Sequence, residues 1–292
     1  MNLCDKNSLK RDAGVICWLL LLGQVFMQGA AMLASVIGIL FGIEQAMLIG
    51  SDIGSFIANF IILGIFWLVR RKEISLPSSR SGHPFKLTAL AFTAVVFING
   101  MVSSLDYATN QMFSIPLNSS GESVPLVTNL LLVAVFPAIV EEFAFRKVLF
   151  GVMRKHGFGV AAVFSSLMFA LMHQNFIQLI FAFGMGLILC KLYERTGRLI
   201  YCMLVHFLNN AYSVLMGAVP LSADIMKFIE IAIGIIGIIV LIICIYTKKF
   251  NLKRFLNYEN ELPAKIGVCF GKISVIIFTA FCLIMCVAII FI

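Results

Sequence analysis

The stretch Val140-Glu141-Glu142-Phe143-Ala144-Phe145-Arg146 lies near the end of an apolar run, 125–150, that otherwise reads as membrane-buried helix. Its two adjacent carboxylates need an explanation. An acidic residue at the centre of an inserted helix costs about 2.5–3.5 kcal/mol, so such groups usually face a protein interior or a water-filled cavity. In a helix, Glu142 and Arg146 are four apart with the acid first, the favourable order for an ion pair. Glu141 then points about 100° away, toward a different neighbour. The expectation is that Glu142 and Arg146 form a structural pair while Glu141 faces a cavity.

The surrounding chain supports a membrane setting. Of its 292 residues, 61% are hydrophobic and 12% charged, with a mean hydropathy of +1.03, far more apolar than an average soluble domain. The fold class expected is all-α, a polytopic transmembrane bundle of nine spans, or eight. They are placed at 13–41, 47–69, 87–104, 125–150, 158–173, 177–192, 199–215, 225–246 and 266–292. Each approaches the roughly 20 residues that cross a bilayer, and the fifth and sixth are short enough to be tilted or buried in the bundle. The first run is too long for a signal-peptide core and lacks a convincing cleavage site. Asp52, near the start of the second, reads as interfacial.

Charge placement tests the topology. With a cytosolic N-terminus, 21 of the 22 Lys and Arg residues fall on the cytosolic side and only Lys227 on the other, in accord with the positive-inside rule. The loop 105–124 has Asp106 and Glu122 but no basic residue, and is expected outside. The net charge of +8 is thereby assigned to topology and anionic lipid, with no nucleic acid partner. The eight cysteines match no zinc spacing and none lies in an external loop; they read as apolar filler. The segment 248–265 is either an amphipathic helix on the membrane surface or a charged linker. His83 and His156, in basic loops, are expected to be solvated.

Three more polar positions interrupt apolar helices. His173 ends the fifth span in Phe169-Ala170-Leu171-Met172-His173, and His206 and Asn210 lie one turn apart in the seventh, on one helix face. Singly, each reads as a hydrogen-bonded packing residue; two histidines, an asparagine, two glutamates and an arginine together read as a site. His173 fits least easily, because the expected boundaries put it at the far end of its span while Glu141 and His206 lie toward the cytosol. That span would have to sit deep in the bundle.

The ordered pattern Glu-Glu-x-x-x-Arg, Phe-x-x-x-His and His-x-x-x-Asn, each on its own hydrophobic helix, resembles the CPBP family of intramembrane glutamic proteases, which includes type II CAAX prenyl endopeptidases and bacteriocin-processing or immunity proteins (Abi). The resemblance covers roughly 85–245, with Lys147 as a departure where family members often carry glycine. It divides the chain into a two-span region with basic linker (1–84), a catalytic membrane core (85–247), and a cytosolic linker with the last span (248–292). It implies that Glu141 is the base activating a water and that His173 helps hold it. His206 and Asn210 would stabilise the oxyanion, with Glu142, Arg146 and Phe169 supporting. No cofactor is implied. The alternative is zinc held by Glu141, His173 and His206 with an open fourth position, although the chain lacks a His-Glu-x-x-His helix.

The partners expected are the lipid bilayer and a peptide or protein substrate, lipidated or not, entering from the cytosolic side. The setting expected is a bacterial cell membrane. The competing reading is a non-catalytic scaffold, or an immunity or regulatory protein that binds a membrane partner.

Overall fold

A computed structural model of the chain describes residues 3–41, 54, 57, 60–62, 64–75, 77, 82–113, 125–218, 222–247, 251–256 and 260–291. Asp52, Glu122 and most of the second expected span lie outside the described residues. Everything regular among those described is helical. The elements are α1 (Leu3–Phe41), α2 (Pro84–Phe113), α3 (Leu126–His156), α4 (Phe158–Leu171), α5 (Phe176–Thr196), α6 (Leu199–Ala218), α7 (Ala223–Tyr246), α8 (Leu262–Phe270) and α9 (Ile273–Phe291). The chain is an integral membrane protein. Among the described residues five helices are long and apolar enough to cross a bilayer, or six when the bent pair α8 and α9 is taken as one span.

Two departures from the expected spans have visible causes. The last expected span is broken: α8 and α9 meet at 80° across Gly271-Lys272, where glycine closes α8 and a lysine follows. Ser274 at the start of α9 donates to Gly14 O at 3.2 Å, fixing the bend to α1. The fifth is a helix of only 14 residues, 12 of them buried. At 1.5 Å per residue α4 is about 21 Å long, well short of a bilayer core of about 30 Å. It is covered by protein rather than lipid and forms the centre of the bundle.

Small residues set the closest helix contacts, as expected where lipid offers no hydrophobic drive for association. A Cβ on Gly186 of α5 would lie 2.7 Å from Ser166 Cβ of α4, and one on Gly234 of α7 would lie 2.6 Å from Gly100 O of α2. α5 ends at Gly197, whose φ of 65° closes the helix in the left-handed conformation that glycine adopts freely. Exposed apolar faces, such as Ile235, Ile239 and Ile243 on α7, are left for lipid.

A charged cluster lies where α3 ends. Asp12 of α1 has no exposed side-chain area, and its carboxylate meets Arg70 at 2.6 Å, Lys155 at 2.8 Å and His156 at 3.0 Å. Lys155 also reaches Glu73 at 2.9 Å, and Ser75 N donates to Gly151 O at 2.9 Å. His156, expected to be solvated, is thus a half-buried partner of Asp12, because α1 and the basic linker fold over the turn that carries it. His83 is exposed. Six cysteines, Cys17, Cys190, Cys202, Cys269, Cys282 and Cys286, are free and buried.

Candidate active site

The site is built on the hairpin of α3 and α4, with α6 joined to α3. Gly157, at φ 115°, reverses the chain between α3 and α4, and Glu141 and His173 each lie sixteen residues from it. Antiparallel packing therefore brings them to a similar depth. This resolves the difficulty with His173: α4 is short, and it runs back along α3 from the same turn.

α3 is locally widened into π-helical turns at Leu130–Val135 and Phe143–Leu149, flanking the glutamate pair. Such bulges are frequent at functional sites because they re-aim side chains and loosen backbone pairing. Pro137 falls between them and cannot supply the N–H that would bond Val133 O in an α-helix. Asn210 of α6 fills the gap, its Nδ2 donating to Val133 O at 2.9 Å. A carbonyl partner fixes which way the amide points.

Glu142 is fully buried and touches two basic side chains. Arg146 Nη1 lies 2.8 Å from Glu142 Oε1, and His206 Nδ1 donates to the same oxygen at 2.8 Å. The Arg146 contact is one of charge, not an aligned hydrogen bond; its three guanidinium nitrogens and Glu142 Oε2 have no hydrogen-bonding partner among the described residues. The guanidinium also lies over the Phe169 ring, 4.5 Å from its centroid.

Glu141 was expected to point to a different neighbour from Glu142. Instead both reach His206, on opposite ring nitrogens: Glu141 Oε2 is 3.7 Å from Nε2. That distance is beyond a hydrogen bond. The Glu141 side chain is 28% exposed where Glu142 is at 0%, so one carboxylate is available to a ligand and the other is not. With the Glu142 carboxylate accepting from Nδ1, Nε2 is the ring nitrogen that faces Glu141.

Phe169 is the hub of the cluster. Its ring meets His173 edge-on at 4.8 Å, His206 at 6.1 Å and Phe145 at 5.1 Å, in addition to Arg146. His173 Nδ1 donates to Phe169 O at 2.9 Å, which leaves Nε2 as the nitrogen able to face a ligand, and the ring stands within electrostatic range of Glu141 and His206. The residue after it, Gln174, is held at φ 51°, a left-handed conformation that costs a residue with a Cβ about 1–2 kcal/mol.

Asn209 was not singled out in the sequence. It is buried and donates through Nδ2 to Asn210 Oδ1 at 3.1 Å, so the Asn209-Asn210 doublet works as one unit; the doublet itself was the available signal. Among the described residues no group of three His, Cys, Asp or Glu side chains is placed to hold a metal ion. Nδ1 of His173 and of His206 is engaged by an oxygen, which leaves Nε2 of each as the nitrogen that a ligand would meet.

With this geometry in place, residues 123–212 match a protein family described as type II CAAX prenyl endopeptidase Rce1-like. Over that stretch the chain is similar to that family. The matched segment contains every one of the cluster residues from Glu141 to Asn210, while α1, α2 and α7 to α9 lie outside it. Across a longer alignment the chain is 26% identical over 224 residues to the candidate membrane peptidase YdiL of Bacillus subtilis (strain 168), spanning 70% of this chain and 89% of that protein. It is 37% identical over 90 residues to the membrane-embedded CAAX protease MroQ of Staphylococcus aureus (strain USA300), spanning 28% of this chain and 36% of that protein. No solved structure matches. Peptidase is the class common to the Rce1-like description and both relatives.

Proposed function

We propose that the chain is an intramembrane endopeptidase that hydrolyses a peptide bond with water activated by Glu141. The observation that carries this reading is the division of labour around His206: a sealed carboxylate, Glu142, fixes Nδ1, and a partly exposed carboxylate, Glu141, faces Nε2. In the reaction, Glu141 takes a proton from water as the oxygen attacks the scissile carbonyl. The resulting oxyanion is stabilised by Asn210 and by His206. Donation from His206 Nε2 requires the doubly protonated ring, whose charge is balanced by the two carboxylates. Collapse returns the proton from Glu141 to the leaving amine, giving a new carboxyl and a new amine terminus. His173, oriented by Phe169 O, holds the water through Nε2. No metal enters the scheme.

The substrate proposed is a peptide or protein tail near the cytosolic face of a bacterial membrane, either a leader peptide or a prenylated CAAX-type terminus. The distribution of basic residues supports the cytosolic side, and the names of the family and of MroQ support the peptide class. The test is cleavage of prenylated CAAX peptides and leader peptides by the purified chain in liposomes, with the cut position read by mass spectrometry. Cleavage absent from Glu141→Ala at equal thermal stability supports the proposal; equal cleavage by both proteins contradicts it.

One observation favours a second reading. Asn210 Nδ2 is engaged with Val133 O, so the polar cluster also ties α6 to α3 and could serve as the lock of a non-catalytic scaffold. A scaffold tolerates Glu141→Gln in its partner binding and has no turnover to lose.

A further inference from the structure

α1 reaches the candidate site from outside the matched segment. Gln24 is fully buried in it, at 0% exposure, within a run of apolar residues. Both ends of its amide are used on the loop that carries His173. Nε2 donates to Met172 Sδ at 3.0 Å, and Oε1 accepts from Gln174 Nε2 at 2.8 Å. The two partners flank His173 on either side.

Gln174 is the non-glycine residue with positive φ among those described, and it is itself buried at 6%. A residue in that conformation persists only where its surroundings hold it. Gln174 N donates to Leu171 O at 3.2 Å, and the bond that its side chain donates to Gln24 ties the turn to α1. Sulfur is a weak acceptor, so the amide–amide bond is the stronger half of the clamp. Without it, Gln174 is free to relax toward the ordinary helical region. The backbone of His173 would rotate with it, and the ring would leave its seat against Phe169.

We propose that Gln24 is a positioning residue: by bridging Met172 and Gln174 it locks the left-handed turn that aims His173, so the N-terminal helix completes the active site. The proposal rests on the reading of His173 as the residue that holds the water. A merely structural polar contact predicts lost stability and nothing specific to His173; the clamp predicts a backbone effect that glycine corrects.

The test uses Gln24→Leu, Gln174→Gly, their combination and His173→Ala in the full chain in liposomes. Gln24→Met, nearly the length of glutamine, serves if Gln24→Leu is not recovered from the membrane. Three quantities are read: kcat and KM separately, thermal stability, and the rate at which diethyl pyrocarbonate modifies His173, followed by peptide mapping. Gln24→Leu is expected to lower kcat between about tenfold and a hundredfold with KM little changed, the range for misplacement of a catalytic group. It should also raise the modification rate of His173.

Gln174→Gly alone stays near wild type, and the double variant recovers much of the lost turnover and the wild-type modification rate, because glycine takes positive φ without a clamp. Unchanged kcat and unchanged His173 reactivity in Gln24→Leu overturn the proposal, as does a double variant with no recovery. Wild-type turnover in His173→Ala overturns the underlying reading instead, and the modification rates still decide whether the clamp exists.

Discussion

Glu142 Oε1 lies 2.8 Å from His206 Nδ1 and 2.8 Å from Arg146 Nη1, so a single buried oxygen joins α3 to α6 and sets the tautomer of the imidazole. The residue expected to be half of a local ion pair is the link between the two helices that carry the site. An uncharged side chain at that position would give Arg146 no counter-ion.

Glu142→Gln is therefore expected to lose turnover and stability together. It leaves Arg146 as a buried charge without a counter-ion, a change that typically costs about 3–5 kcal/mol. Thermal unfolding in detergent, read beside the cleavage rate, checks it. A variant as stable as wild type would remove Glu142 from the structural role.

Asn210→Ala should separate the two effects. The lost donor at the oxyanion costs roughly a hundred- to a thousandfold in kcat, while the Val133 carbonyl left without its partner costs only about 1–3 kcal/mol in stability. Expression near wild type with undiminished cleavage would place Asn210 among packing residues.

Phe169→Ala removes the ring against which Arg146, His173 and His206 all rest. The fully buried ring should cost about 3–5 kcal/mol on truncation. Phe169→Leu should recover much of the stability but less of the activity, since an aliphatic side chain has no π-face for Arg146. Equal recovery of both would mean the ring acts by volume alone.

Asp12→Ala lies far from the chemistry and gives the converse pattern. It strips a sealed carboxylate from Arg70, Lys155 and His156, with an expected loss of about 3–5 kcal/mol. Cleavage per folded molecule should be unchanged. A fall in kcat at low temperature, where the variant remains folded, would show that this cluster communicates with the site.

A metal-free reaction predicts that chelators leave cleavage intact. Activity abolished by chelation and restored by zinc would return Glu141, His173 and His206 to the role of ligands.

Much of the site was legible because its motifs are local. Glu141, Glu142 and Arg146 fall within two turns of one helix, and the four-residue spacing of His206 and Asn210 fixes their common face. The rest depended on distances between helices, which no spacing encodes. That both glutamates meet one imidazole follows from the packing of α6 on α3. The role of Pro137 in freeing Val133 O for Asn210 becomes visible only once those helices are side by side. Gln24 and Gln174 are 150 residues apart, and each alone reads as an isolated amide in apolar surroundings. His156 looked solvated because its own neighbours are basic; its acceptor comes from α1. The expected spans were least secure where burial in protein replaces burial in lipid, as in α4, or where a short glycine-lysine break divides an apolar run, as between α8 and α9.

The most direct test of the account is kcat for Glu141→Gln in liposomes against wild type, with thermal stability matched. The account predicts a fall of about a hundred- to ten-thousandfold, the contribution of a positioned general base, with stability unchanged because Glu141 is the partly exposed member of the pair. Cleavage at the wild-type rate by the variant would contradict it.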